Sequence, residues 1–302
     1  MNPLNPDTPD NHEEDYQRVV DQVGPTELLP GTAIEIVRAP GRSQPPCHVL
    51  FDFDGTLSLI REGWTDVMVP LMVEILQATG TDETPEALAA VCRDFVTELT
   101  GKQTIYQMIR LAEEVTRRGG SPEDPVAYKQ RYLDRLSERI AGRLEGLRSG
   151  RIGADEMLVP HSFELLRSLQ ARGVALYVAS GTDEPYVVDE VRLLGLEEFF
   201  GPHVYGALDD YKAFSKAQVI ERILRTHGVA GASLLGFGDG YVEICNVKSA
   251  GGVAVAVASD EARRSGKPDP WKRDRLIGAG ADVVVPDYRD HEALVRYLWK
   301  ED

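Results

Sequence analysis

Residues 47–56 read Cys47-His48-Val49-Leu50-Phe51-Asp52-Phe53-Asp54-Gly55-Thr56, an apolar run that ends in two carboxylates, a glycine and a hydroxyl. An unbroken apolar stretch of this length, closed by turn residues, is the pattern of a strand buried on both faces of a parallel sheet. Asp52 and Asp54 lie two residues apart just past that strand, so they point the same way if the strand continues. Such a pair is costly unless a cation neutralises it. Oxygen ligands at this density suit Mg²⁺. Gly55 permits a sharp turn, and Thr56 can satisfy the backbone groups that the turn frees.

Outward from this stretch, apolar runs of the same kind recur at 174–179, 233–237, 253–257 and 282–285, with a shorter one at Val204-Tyr205. Helical periodicity lies between them at 163–171, 186–194, 216–227, 244–250 and 291–299. Strand alternating with helix predicts an α/β fold, a Rossmann-like parallel sheet with its site at the C-terminal strand ends. From about residue 60 to 151 the alternation stops. Four amphipathic stripes follow one another there: Leu71, Met72, Ile75 and Leu76; Leu88, Val91, Cys92, Phe95 and Leu99; Ile105, Met108, Ile109, Ala112 and Val115; Leu133, Leu136, Ile140, Leu144 and Leu147. Thr84-Pro85 reads as cap and first residue of the second helix. The expected organisation is an α/β core of residues 46–58 and 159–302 and an inserted all-helical domain of residues 59–158. Residues 1–45 are expected to form an extension, mobile at its start, with 33–37 as an edge strand. Trp271-Lys272-Arg273, between the last two strand runs, reads by default as the start of a surface helix.

The whole chain has 302 residues, 33 basic and 49 acidic, a formal charge of −16. That balance repels nucleic-acid backbones and anionic membrane, and argues against a nucleic-acid or membrane partner. It leaves room for an anionic small substrate where a cation reverses the local field. No apolar run approaches the ~20 residues of a membrane helix. Three scattered cysteines, without a CxxC pair, point to buried thiols in a reducing compartment, and the expected location is cytoplasmic.

Three further stretches carry chemistry. Gly238-Asp239-Gly240-Tyr241-Val242-Glu243 follows a buried strand, and its four-residue spacing brings Asp239 and Glu243 to one side of a first helical turn. With Asp52 they offer a divalent-cation site, although Glu243 also suits a helix N-terminus stabilised by the dipole. Ser180 and Gly181 stand at another strand end, where a hydroxyl and free amides can hold a phosphoryl oxygen. Lys216, in Phe214-Ser215-Lys216, opens a helix and can balance anionic charge, with Lys212 as its rival.

In this order, D-x-D-G-T, strand-end Ser, helix-start Lys and G-D-x-x-x-E resemble the haloacid dehalogenase superfamily. The helical insertion resembles the C1 cap of its phosphoglycolate phosphatase and β-phosphoglucomutase-like branch. The resemblance covers about residue 47 to the C-terminus. It implies Asp52 as nucleophile and Asp54 as general acid/base, with Ser180 and Gly181 on the phosphoryl group and Lys216 neutralising it. It also implies Mg²⁺ held by Asp52, Asp239, Glu243 and the backbone carbonyl of Asp54. The sequence departs from relatives in two places: Glu243 stands where many have Asp, and His161 where many have Gly. Lys102 and Gln103, in a loop between two cap helices, are expected to reach the substrate. Arg61 and Glu62 sit where a hinge would bring them near the cleft, and Asp183-Glu184 suit either of two places, facing the substrate or serving as first-turn helix acids. The implied activity is a Mg²⁺-dependent phosphomonoester hydrolase acting on a small phosphorylated metabolite such as a sugar phosphate. A phosphomutase, and a non-catalytic binding protein on the same fold, are the alternatives. A dehalogenase is disfavoured, because that chemistry dispenses with the second carboxylate of the first motif.

Overall fold

The computed structural model describes residues 16, 18–20, 24–41, 45–228 and 230–301; the start of the extension, expected to be mobile, lies outside them. The chain opens with β1 (Glu27–Leu28), β2 (Glu35–Ile36) and β3 (His48–Phe51). Helices α1 (Thr65–Gln77), α2 (Pro85–Glu98), α3 (Thr104–Arg117) and α4 (Pro125–Arg148) follow without an intervening strand. Next come α5 (Ser162–Gln170), β4 (Ala175–Asp183), α6 (Glu184–Leu193), the short α7 (Glu197–Phe200) and β5 (Val204–Ala207). The chain ends with α8 (Lys216–His227), β6 (Leu234–Gly238), α9 (Tyr241–Ser249), β7 (Val253–Val257), α10 (Pro270–Gly278), β8 (Val283–Val285) and α11 (His291–Trp299).

Eight strands form one sheet in the order β1-β2-β8-β7-β6-β3-β4-β5. All pairings from β3 to β8 are parallel, and β2 adds antiparallel to β8. The chain runs from β3 through β4 to β5 on one side, then crosses to β6 on the other. The winding therefore reverses at β3, and a crevice opens at the C-terminal ends of β3, β4 and β6, the usual ligand position in such sheets. Alternation explains why both faces are apolar. Val49, Phe51, Leu176, Val178, Leu235, Phe237, Val253, Val255 and Val257 enter one core, while Leu50, Tyr177, Ala179, Leu234, Ala254 and Ala256 enter the other. Each large side chain buried in this way contributes roughly 1.5–3 kcal/mol.

The first core continues through Leu57, Leu59 and Ile60 into α1–α4, whose stripes meet one another. Thr84 caps α2 as expected, its Oγ1 accepting from Ala87 N. The insertion leaves and rejoins the core side by side: Leu59 N donates to Met157 O, and Val159 N to Leu57 O, each at 2.8 Å. His161, just past this pair, sits at φ +66°, a left-handed position where glycine is relaxed and other residues are strained. Glycine would suit this backbone, and nothing in the structure explains the histidine that stands there.

Two expectations are corrected here. The outermost strand is β1, and β2, within residues 33–37, lies inside it. Of the three cysteines, all free, only Cys92 is buried; Cys47 is exposed and Cys245 half-buried. Among the described residues no helix is long and apolar enough to cross a membrane.

At the far end of the sheet from the crevice, His48 Nδ1 lies 3.1 Å from Tyr177 Oη, which is 3.0 Å from His227 Nε2. Burial, and then the neighbouring His227, hold the His48 pKa below its ordinary 6.5. The fold therefore favours neutral His48, so its contribution to stability is full above 6.5 and is lost as pH falls below that value. Denaturant midpoints measured between about pH 7 and pH 5 are expected to fall, and His48→Gln to flatten that fall.

Candidate active site

The crevice is built on the end of β3. Asp52 N donates to Phe237 O at 2.9 Å, extending the β3–β6 ladder by one residue. The buried Asp52 carboxylate accepts from Phe53 N at 2.7 Å and meets Lys216 Nζ at 3.0 Å, both on Oδ1. Gly55 makes the turn at φ +73°, and an added Cβ would run into Asp239 Oδ2. Thr56 Oγ1 accepts from Asp239 N at 2.9 Å, which ties the first acidic loop to the loop after β6. Asp54 Oδ2 accepts from Thr182 Oγ1 at 2.8 Å. Its Oδ1 is buried without a hydrogen bond and lies 3.8 Å from Arg61 Nε. Arg61 in turn is clamped by Glu190, with Nη2 to Oε1 at 2.7 Å.

Charge is concentrated here. Burial pushes the Asp52 carboxyl up to about 6; Lys216 opposes the shift and Asp239 adds to it. Burial likewise pushes Asp54 up to about 6, with Arg61 opposing and Glu190 adding. Lys216 is the first residue of α8, and its preceding Ser215 caps the helix. Its buried ammonium lies between Asp52 and Glu243, and Lys216–Glu243 is a direct ion pair. Lys212 does not line the crevice; its Nζ lies over the Tyr211 ring. Ser180 and Gly181 belong to the crevice wall within β4, which runs on to Asp183.

Residues of the helical insertion roof a cleft of about 840 Å³, open mouth included. Lys102, Thr104 and Gln107 line it from one side, Lys129 and Tyr132 of α4 from another, with Arg61 and Glu62 between. Gln103 is a correction. Its Nε2 donates to Phe214 O at 2.8 Å and Tyr211 O at 3.1 Å, clasping the α2–α3 loop to the segment before Lys216, and it does not line the cleft. Lys102 does line it, with Nζ 5.4 Å from the Tyr106 ring centre. Asp183, the last residue of β4, pairs with Lys129 Nζ of α4 at 2.5 Å.

The loop between α2 and α3 rests on glycine. A Cβ on Gly101, at φ +102°, would stand 3.2 Å from Gly240 Cα, and one on Gly181 would stand 2.9 Å from Lys102 O. A methyl on Gly101 must therefore lift the loop and strain its backbone. Gly101→Ala is expected to cost about 1–2 kcal/mol of stability through this strain and to lower kcat/KM about 10- to 100-fold through misplacement of the roof. Steady-state kinetics beside a melting curve check this.

Several site residues escape sequence reading: Thr182, Ser259, Glu261 and above all Lys272. Helix α10 does begin at Pro270 and Trp271 is exposed, but the Lys272 side chain turns away from solvent, 12% exposed, toward two acids that line the crevice. Its Nζ donates to Glu261 Oε1 at 2.6 Å, Asp239 Oδ2 at 2.8 Å and Ser259 Oγ at 3.2 Å. The available signal was position alone, a helix start following the β7 strand end.

Among the described residues no three His, Cys, Asp or Glu side chains form a ready-made metal cage. Glu243, expected among the ligands, is engaged by Lys216. Asp52 and Asp239 remain, near enough that Asp239 raises the Asp52 pKa, together with the carbonyl of Asp54. Mg²⁺ is ordinarily held by one or two carboxylates, with water and substrate phosphate completing its shell. This oxygen-only, charge-crowded set fits that ion.

A sequence model of the haloacid dehalogenase-like hydrolases matches residues 48–251. The chain belongs to that family of hydrolases. Among solved structures, it is similar to a predicted phosphoglycolate phosphatase from Haemophilus somnus 129PT, at 15% identity and TM-score 0.53, over 82% of this chain and 97% of that one. It is also similar to a hydrolase of the family from Deinococcus radiodurans R1 with bound phosphate and sodium, at 17% identity and TM-score 0.52, over 86% and 100%. A third is β-phosphoglucomutase from Clostridium difficile, at 13% identity and TM-score 0.53, over 84% and 97%. These likenesses concern the fold. No curated protein matches the chain.

Proposed function

We propose that the chain is a Mg²⁺-dependent phosphomonoester hydrolase acting on a small organic phosphate, with sugar phosphates as the first class to test. The observation that carries this reading is the meeting of Asp52, Asp54, Ser180, Gly181, Lys216 and Asp239 around one roofed cleft. Family membership and the phosphate bound in the Deinococcus relative support it. In this reading Asp52 Oδ attacks phosphorus, forming an aspartyl-phosphate as the ester P–O bond breaks. Asp54, its Oδ1 free of hydrogen bonds, gives its proton to the departing alcohol oxygen. It then takes a proton from the water that attacks the same phosphorus, so inorganic phosphate leaves and Asp52 is restored. Ser180 Oγ and the Gly181 amide hold phosphoryl oxygens, and Lys216 offsets their charge. Bound Mg²⁺, held by Asp52, Asp239 and the Asp54 carbonyl, supplies charge neutralisation at the phosphoryl oxygens. Phosphoryl transfer depends mainly on such positioning and neutralisation, which suits a weak nucleophile.

We place the paired segments 57–59 and 157–159 as the hinge between a catalytic core and a helical cap, with residues up to 45 outside both. A cytoplasmic setting agrees with three free thiols. The test is phosphate release across a panel of phosphomonoesters, with Mg²⁺ and with chelator. Release that requires Mg²⁺ is expected. A panel silent under all conditions would favour a binding protein, and isomerisation with a bisphosphate requirement but no net release would favour a mutase.

A further inference from the structure

Lys272 does not line the crevice, yet it is ion-paired with two acids that do, Asp239 and Glu261, and the proposed reaction gives it no task. Its side chain is 12% exposed, and it is held by two carboxylates and a hydroxyl, all within 3.2 Å. Of these, Asp239 belongs to the set that fits Mg²⁺. Ser259 Oγ also donates to the carbonyl of Gly55, so the lysine's surroundings reach into the first acidic loop. An ammonium and a divalent cation at one carboxylate oxygen repel each other strongly at such range in a poorly hydrated cleft. Both cannot hold Asp239 Oδ2 in this geometry. Glu261 offers a place to withdraw to, because it binds the same Nζ from the residues following β7 and is not among the expected ligands.

We propose that Lys272 is a built-in counter-cation of this centre. In the metal-free protein it neutralises Asp239, and when a divalent cation arrives it releases Asp239 and keeps Glu261. The inference rests on the reading of Asp239 as a Mg²⁺ ligand. Its consequence is a metal affinity set partly by the protein's own lysine. A competitor that must leave reduces apparent affinity by the fraction of time the site is open.

Two measurements test it. The first is acetylation of lysines in the wild-type protein by sulfo-NHS-acetate, followed by peptide mass spectrometry, with Lys248 as an internal reference. Lys248 is paired with Asp282, away from the cleft. Saturating Mg²⁺ is expected to raise the Lys272 rate relative to Lys248 by about five-fold or more, as one of its two carboxylate anchors is lost. The second is calorimetric titration of Mg²⁺ into Lys272→Met, expected to bind about ten-fold more tightly than wild type. Lys272→Gln serves the same purpose if the first variant does not fold. Unchanged or slower Lys272 acetylation with Mg²⁺, or weaker binding by the variant, overturns the proposal. Hydrolysis of p-nitrophenyl phosphate is followed in parallel. Mg²⁺-dependent hydrolysis with unmoved Lys272 labelling would retain the phosphatase reading and reject the lysine. Raised labelling without hydrolysis would do the reverse.

Discussion

Asp52→Asn is expected to lower phosphate release on the order of 10⁴-fold or more, because the amide cannot form the acyl-phosphate. The substitution preserves shape, and the Phe53 N–H keeps an oxygen to bond at Oδ1. It also removes a carboxylate that the fold holds at about 6 against an ordinary 3.8. A raised carboxyl costs stability as pH climbs past 3.8, and the cost is complete once the folded value is passed. At pH 7 the metal-free variant should therefore melt no lower than wild type. Activity lost while stability is kept distinguishes a nucleophile from a structural acid. A variant that retained near-normal turnover would contradict the assignment.

Lys216→Met is expected to be as damaging in a different way. The ammonium is 3% exposed between Asp52 and Glu243, themselves 8% and 2% exposed. Removing it leaves two buried carboxylates without their common partner, at an expected loss of about 3–5 kcal/mol. Adding Glu243→Gln should recover a substantial part of that loss, since one stranded charge disappears, yet phosphate release should stay depressed by about 10²-fold or more. Urea unfolding of both variants, beside their kinetics, measures this. If the double variant were no more stable than the single one, the ion pair would not be what holds Lys216.

What the sequence discloses follows the range of the interactions involved. Elements written in local chemistry were legible: α8, opened by Ser215 and Lys216, and α11 have the bounds their periodicity predicts. The apolar runs around β3, β6 and β7 place Asp52 and Asp239 at one sheet edge, because strand direction and parallel pairing leave little freedom. Two-residue β1 carries no period to read. Helix α10 has start signals in Asp269 and Pro270, but Lys272 looked like a surface residue. Its burial depends on Asp239, 33 positions away, and on Glu261 in a separate loop. Gln103 shows the same limit. Its place in the loop between two helices was readable, whereas the two carbonyls that capture it come from 108 and 111 residues further on. Thr182 was likewise hidden, since its hydroxyl gains meaning only beside Asp54.

In the proposed reaction Asp52 carries the phosphoryl group between the two half-steps. The most direct measurement mixes the Asp54→Asn variant, in which the water step is slowed, with a phosphomonoester that the wild type hydrolyses, quenches in acid and maps the peptides by mass spectrometry. One hydroxylamine-labile phosphoryl group is expected on the peptide containing Asp52, absent when Asp52→Asn is added. A phosphoryl group found elsewhere, on Ser180 for instance, or none while the wild type turns over, would contradict it.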